Sequence, residues 1–381
     1  MDKMKQKFLL LTEYFPESEN AEITGGVENR CFNIVKFLSS KYDVKVICSR
    51  QQGQIKHSSV FGCDVFRVGP EISYSSKGDL IKRFMFAYSA YKLAKKQKDV
   101  DLIEAESFLT YLPTYFAGKK IKAKKIATWH ETWVGEWIKN KGFVTGLFGE
   151  IWERFSIKLN WDMVISVSNF TKERLLERKI KCKNIKVIPN GIDFDKIEQV
   201  KISHSDEVGK IKRICVVGRL TPMKRVDIII NAFSKLIKET PRLELNIVGS
   251  GPELENLKKI VNNLNLSEKI IFHGFIEKYE DVIKIMKSSD FYVSASELEG
   301  FGITVLEAMA CNLPVILSDI KPFREISENK AIFFEDVNQL YKALNFIMAH
   351  NELNKEQLKK QSKLLSKYHW DEIIKKGYDL C

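Results

Sequence analysis

Short apolar runs alternate with longer amphipathic segments along this chain, and that alternation admits few folds. An apolar run of about four to six residues suits a strand covered on both faces, and the amphipathic segment after it suits a helix lying on the sheet. Phe8–Thr12 reads as the first such strand, and Gly25-Gly26-Val27 opens a helix to about Ser40. Val44–Cys48, Leu102–Ala105, Lys125–Trp129 and Met163–Val167 read as further strands, with Leu80–Lys98 helical among them. A second series starts at strand Arg213–Val217 and helix Val226–Lys238, and ends with helix Thr304–Ala310 and strand Val315–Leu317. Between the two series, Val187–Asp193 (VIPNGID) carries Pro and Asn-Gly turn chemistry, and the polar stretch Lys201–Lys210 follows. These signals place an N-terminal domain over 1–198 and a C-terminal domain over 199–366, both α/β and doubly wound. Ligands of such sheets lie at the carboxyl ends of the strands.

The net charge of +12 is uneven. Residues 1–200 hold 34 Lys+Arg against 24 Asp+Glu, a balance of +10, whereas 201–381 hold 27 against 25, or +2. The first half is therefore expected to meet an anionic partner. Seven cysteines, scattered without a C-x-x-C pair, suit reduced thiols, and the six histidines show no metal-ligand spacing. No stretch approaches the ~20 apolar residues of a membrane span, and the apolar run at Phe8–Leu11 is short for a signal peptide. The expected compartment is the cytoplasm.

The segment Ser294–Leu317 (SASELEGFGITVLEAMACNLPVIL) concentrates the chemistry. A strand runs into an acidic loop broken by Gly300 and Gly302, and then into a helix whose free N–H groups face an anion. Glu299 and Glu307, eight residues apart, can both reach one elongated ligand, and a carboxylate accepts paired hydrogen bonds from vicinal hydroxyls. By themselves two such acids also suit a plain helix start, where the dipole favours them.

This segment resembles the Glu-x7-Glu signature of the retaining glycosyltransferase family 4, glycosyl transferases group 1, which has the GT-B fold of two Rossmann-like domains facing a cleft. Other pieces match in order: Gly25-Gly26-Val27-Glu28, Thr128-Trp129-His130-Glu131, Pro189-Asn190-Gly191-Ile192-Asp193, Val217-Gly218-Arg219-Leu220 with Lys224, Val248-Gly249-Ser250-Gly251-Pro252, and Phe272-His273-Gly274-Phe275. The resemblance implies that Arg219 and Lys224 hold the donor diphosphate, and that Gly25 and Gly26 approach it from the N-terminal domain. Glu299 would contact sugar hydroxyls, with the backbone of Phe301, Gly302 and Ile303 meeting sugar and phosphates. Glu307 would take the ribose hydroxyls, the nucleobase would lie near Gly249 and Phe275, and His130 would stand beside the reacting centre as a base or an orienting group. It also implies that the last helix, about 367–381, crosses back onto the first domain.

The implied activity is hexosyl transfer from a UDP- or GDP-sugar to a glycan, lipid-linked or cell-envelope acceptor. The chemistry agrees independently. A departing nucleoside diphosphate gains negative charge, which an arginine fork, a lysine and backbone N–H groups stabilise without a metal. Asp193-Phe194-Asp195 matches an Asp-x-Asp metal pattern but reads as turn and cap chemistry, so no cofactor or metal is expected. Gly249–Leu254 lacks the third glycine of a dinucleotide fingerprint.

Lys92–Lys98, Lys119–Lys125 and the aromatic stretch Trp133–Phe155 read either as a peripheral docking face for an anionic membrane or as core aromatics under solvated lysines. A GT-B-fold nucleotide-sugar epimerase and a non-catalytic membrane- or nucleic-acid-binding protein are the rival functions. Against nucleic acid, the basic residues form no recognisable binding motif.

Overall fold

Among the described residues eight strands gather in the first unit and six in the second, and the apolar runs of the sequence form most of them. The structure is a computed structural model that describes residues 5–23, 25–72, 80–202 and 211–378. Residues 203–210 of the polar stretch, and 379–381 of the final segment, lie outside the described residues.

The first unit begins with β1 (Lys7–Leu11), α1 (Gly26–Leu38), β2 (Asp43–Arg50), β3 (His57–Val60), β4 (Cys63–Glu71), α2 (Leu80–Ala94) and β5 (Leu102–Ala105). It continues with α3 (Tyr111–Ile121), β6 (Lys124–Trp129), α4 (Trp137–Lys141), α5 (Phe143–Ile157), β7 (Met163–Ser166), α6 (Asn169–Glu177) and β8 (Ile185–Val187). Its sheet has the order β3-β4-β2-β1-β5-β6-β7-β8, parallel throughout except that β3 runs antiparallel to β4. Strand order reverses between β1 and β5, so the loops leaving these two strands diverge there and leave room for a ligand. Leu9, Leu11, Ile47 and Ile103 of the sheet pack against Phe86 and Ala90 of α2.

The second unit opens with α7 (Phe194–Gln199), β9 (Lys212–Val217), α8 (Val226–Leu236), β10 (Leu243–Val248), α9 (Leu254–Asn263) and β11 (Ile270–Gly274). Then come α10 (Tyr279–Lys287), β12 (Phe291–Ser294), α11 (Ile303–Ala310), β13 (Val315–Ser318), α12 (Lys321–Ile326), β14 (Ile332–Phe334), α13 (Val337–Ala349), α14 (Asn351–Leu365) and α15 (Trp370–Gly377). All six strands are parallel in the order β11-β10-β9-β12-β13-β14, and the order reverses between β9 and β12. Helix α8 turns Val226, Ile229, Ile230, Phe233 and Leu236 inward, the i, i+3, i+4 spacing of an amphipathic face.

The chain divides after Asn190, eight residues before the boundary at 198 that turn chemistry suggested. The physical reason is the company kept by 191–200. Gly191 lies so close to the Trp370 ring that a Cβ would come within 2.7 Å of it, Ile192 N donates to Tyr368 O at 3.0 Å, and the Phe194 ring stacks on His369. Lys287 Nζ donates to Val200 O at 2.7 Å. The first unit regains the chain from Ile373 onward, later than 367, because Trp370 belongs to this second-unit packing. Helix α2 ends at Ala94, not Lys98, and no described helix is long and apolar enough to cross a membrane.

Candidate active site

Glycines let the loops leaving β9, β10 and β11 touch backbone to backbone. Gly218 N donates to Val248 O, Leu220 N to Ser250 O and Gly249 N to Gly274 O, at 2.8–3.0 Å. Gly249 has φ +130°, and a Cβ there would lie 1.9 Å from Gly218 O; at Gly251 it would lie 2.2 Å from Leu220 O. Only hydrogen fits at either point. The turn that follows β9 is thereby fixed: Pro222–Lys224 form a single 3-10 turn closed by Arg225 in the left-handed region, φ 45°.

That turn is joined to the loop after β12, across the point where strand order reverses. Glu297 N donates to Met223 O at 2.8 Å, and the Arg225 guanidinium bonds Glu297 and Asp227. Lys224 consequently forms an ion pair with Glu299, whose Oε1 also accepts from Ser296 Oγ at 3.2 Å. Gly302 begins α11 in the left-handed region, φ 94°, with the buried Phe301 before it and the Phe323 ring 2.9 Å from where a Cβ would stand. Helix α11 buries Val305, Leu306, Ala308 and Met309, so its one acid, Glu307, is buried as well. Burial pushes the Glu307 carboxyl up to about 7, with Tyr279 Oη donating to Oε1 at 3.0 Å and opposing the rise. Arg219 and Phe275 are exposed; Phe275 directly follows Gly274, whose carbonyl holds Gly249. The second unit thus gathers Arg219, Lys224, Gly249, Phe275, Glu299, Phe301, Gly302, Ile303 and Glu307 at the carboxyl ends of β9, β10, β11 and β12. Asp193 caps α7, accepting from Lys196 N at 3.1 Å.

In the first unit Gly25 is the N-cap of α1 and Gly26 its first residue, beside the reversal point of that sheet. His130 directly follows β6. Trp129, fully buried, stacks on Tyr111 at 4.2 Å and meets Trp161 edge-on, while Tyr111 Oη donates to Thr128 O at 2.9 Å. This aromatic anchor fixes the strand end and leaves His130 half-buried.

Sequence reasoning missed the charged cluster beneath it. Arg30 is fully buried; it donates to Glu106, to Ile188 O and Pro189 O at 3.1 and 3.0 Å, and to Asn190 Oδ1 at 3.1 Å. The Pro-Asn-Gly motif is therefore a set of acceptors for a buried arginine. Glu104 and Glu106 stand two apart, on one face of the β5 line. An acid within an otherwise apolar strand run was the available signal, and Arg30 and Tyr378 offered none.

The buried Glu307 yields a pH prediction. Its folded value, about 7, lies above the ordinary 4.5, so the folded state holds a proton the unfolded chain releases. Its stabilising contribution is full below about 4.5 and is lost as pH rises to about 7, an upper limit of ~3 kcal/mol. Glu307→Gln keeps an acceptor for Tyr279 and removes the titration. Urea unfolding at pH 5 and pH 8 is expected to show the variant losing less stability between the two than the parent. Equal losses contradict the burial account.

The comparisons with known proteins place one family model on each half of the chain, meeting at 196–198. Residues 24–196 match the model of glycosyltransferase family 4, and 198–364 that of glycosyl transferases group 1. The alpha-monoglucosyldiacylglycerol synthase of Streptococcus pneumoniae is 25% identical over 330 residues, 77% of this chain and 72% of the relative. The N-acetylgalactosamine-N,N'-diacetylbacillosaminyl-diphospho-undecaprenol 4-alpha-N-acetylgalactosaminyltransferase of Campylobacter jejuni is 24% identical over 342 residues, 87% of this chain and 89% of that one. A solved sucrose-phosphate synthase from Thermosynechococcus elongatus has the same fold, with a TM-score of 0.80 over 98% of this chain and 97% of the other at 19% identity. With one model on each half and this architecture beneath them, the chain belongs to the GT-B glycosyltransferases of family 4, group 1.

Proposed function

We propose that the protein is a retaining hexosyltransferase that uses a UDP- or GDP-sugar, needs no metal, and delivers the sugar to a lipid-linked, glycan or cell-envelope acceptor. The observation that carries this reading is the Lys224–Glu299 pair beside the start of α11, with Glu307 one turn in. A nucleotide sugar offers each group a better partner. Its diphosphate takes the lysine, its sugar hydroxyls take Glu299, and its ribose hydroxyls take Glu307 in the ionised form. Transfer forms a bond from an acceptor oxygen to C1 of the sugar and breaks the bond from C1 to the phosphate oxygen. The electron pair departs with the nucleoside diphosphate, and the acceptor proton leaves with it or to a base. Arg219, Lys224 and the N–H groups of Gly302 and Ile303 meet the charge that builds on the phosphate, each typically worth ~10²–10³ in rate. Gly26 approaches the diphosphate and His130 serves the reacting sugar. The names of both relatives specify alpha products, and an α-linked donor yields an α product only by retention.

A thermal-shift panel of UDP, GDP, ADP and CMP, with and without magnesium, tests the donor side. One nucleoside diphosphate at about 100 times its Kd is expected to add roughly 2.7 kcal/mol without metal. Arg219→Ala and Lys224→Ala abolish most of that shift. Silence from every nucleotide, or a strict magnesium requirement, contradicts the reading.

We also assign the apolar faces of α2 and α5 to an anionic membrane on the cytoplasmic side. Ile81, Met85 and Tyr88 stand exposed along α2, Ile81 by 70%; Val144, Leu147, Ile151 and Phe155 do so along α5, Val144 by 75% and Ile151 by 59%. Phe84 and Phe148, 4.5 Å apart, join the two helices. Lys92, over the Tyr88 ring, supplies positive charge at the α2 face, while Arg154 of α5 is balanced by Glu150. The aromatics that suggested this surface divide: Trp137 donates to the buried Glu153 at 2.6 Å and Trp152 to Phe108 O at 3.0 Å, so both serve packing. The Lys119–Lys125 cluster gathers instead around a cavity with Asp162 and Lys183. The lipid named in each relative supports a membrane-borne acceptor. Flotation with phosphatidylglycerol vesicles is expected to carry the parent, phosphatidylcholine vesicles much less, and the double variant Ile81→Ser, Ile151→Ser least. Equal flotation of parent and variant overturns the assignment.

A further inference from the structure

His130 Nε2 lies 3.0 Å from Glu106 Oε2 and 3.1 Å from the Glu106 backbone carbonyl. Both are acceptors, so this nitrogen carries the proton, and the neutral ring keeps its lone pair on Nδ1. Glu106 is itself held from several elements, all without exposure. Arg30 of α1 reaches its Oε1 at 3.3 Å, and the Tyr378 hydroxyl, after α15, lies 3.2 Å from the same atom. That hydroxyl accepts from Arg30 Nη2 at 3.3 Å and lies equally near Glu104 Oε1, which takes the Thr128 hydroxyl at 2.6 Å. The Cys31 thiol, bonded to Thr12, and the Tyr111 phenol are the other titratable neighbours, and burial pushes both well up. Burial and the neighbouring Glu106 push the Glu104 carboxyl well above its ordinary range, so it stays neutral. Burial acts to raise Glu106 too, but Arg30 and His130 outweigh it and keep this carboxylate charged.

We propose that Glu106 is a positioning residue that holds His130 in the Nε2–H tautomer, with Arg30 and Tyr378 holding Glu106 in turn. The consequence for turnover rests on the reading that His130 serves the reacting sugar; the tautomer does not. With Nε2–H fixed, the ring presents Nδ1 to its other side as an acceptor, the form a base or a hydroxyl-orienting group needs. In a Glu106→Gln chain Arg30, which can only donate, claims the amide oxygen. The amide NH₂ is left toward His130 and opposes Nε2–H, which then keeps only the residue-106 backbone carbonyl as acceptor, so the balance moves toward the opposite tautomer. In a comparable buried carboxylate–histidine pair such a change leaves geometry intact and lowers kcat about 10⁴-fold.

The test is ¹⁵N NMR of ring-labelled histidines in the full chain at pH 8, with His130 assigned by its loss in His130→Gln. The parent is expected to show a protonated Nε2 and a bare Nδ1 for His130. Glu106→Gln shifts the population toward Nδ1–H and lowers kcat at least 10²-fold, with the donor KM changed less than about threefold. A parent spectrum with Nδ1–H overturns the proposal even if the variant does not fold, as does an unchanged tautomer in a folded variant. A shifted tautomer with unchanged kcat leaves the positioning role standing and removes His130 from the reaction.

Discussion

The contact between Gly249 and the Gly218 carbonyl is the constraint on which the second unit's site depends. With room there for hydrogen alone, the loops leaving β9 and β10 close on each other, and those leaving β10 and β11 follow through Gly249 N and Gly274 O. The turn after β9 then has one course. It carries Lys224 toward the loop after β12 and lets Arg225 lock Glu297. A side chain at Gly249 would open the floor beneath every residue assigned to the donor. Glycine here answers a close approach of backbone, and its usual conformational cost is offset by the four loops it brings into register.

Buried charge is treated differently in the two units. In the first, Arg30 and Glu106 lie fully buried, and each finds enough partners to remain ionised, while Glu104 beside them is kept neutral. Removing one member of such a cluster strands the others, which costs more than the pair contributes. In the second, Glu307 has a single phenol for company and hovers near neutrality. In the function proposed above, two adjacent ribose hydroxyls would complete what Tyr279 leaves unfinished. The first cluster is structural wiring under a histidine; the second is, on that proposal, the acceptor for the ribose hydroxyls.

Much of this was legible in the residues. Phe8–Thr12, Val44–Cys48 and Met163–Val167 read as strands because apolar, largely β-branched or leucine residues dominate each run, with only Lys45 and Ser166 inside them, and the β12–α11 segment declared itself by glycines set between a strand and a helix. The β3–β4 hairpin was not read. It is the only antiparallel pairing among the described strands, and its Val60-Phe61-Gly62-Cys63 corner carries weak turn chemistry. The Arg30 cluster was invisible for a different reason: Arg30 and Tyr378 stand 348 positions apart, and no local period links them. The aromatics of 133–155 misled in part, because a tryptophan packed on a helix and one offered to a membrane have the same spacing. What separates them is a buried acceptor, Glu153, which only the fold brings to the Trp137 indole.

The central claim is that the loops after β9, β10 and β12, together with the start of α11, form the donor site. Hydrogen exchange of the full chain, read by mass spectrometry with and without the stabilising nucleoside diphosphate, tests it most directly. The account predicts slowed exchange in peptides covering 218–225, 249–254 and 299–307. Slowing confined to residues 5–190, or a bound nucleotide that leaves those three segments unchanged, would contradict it.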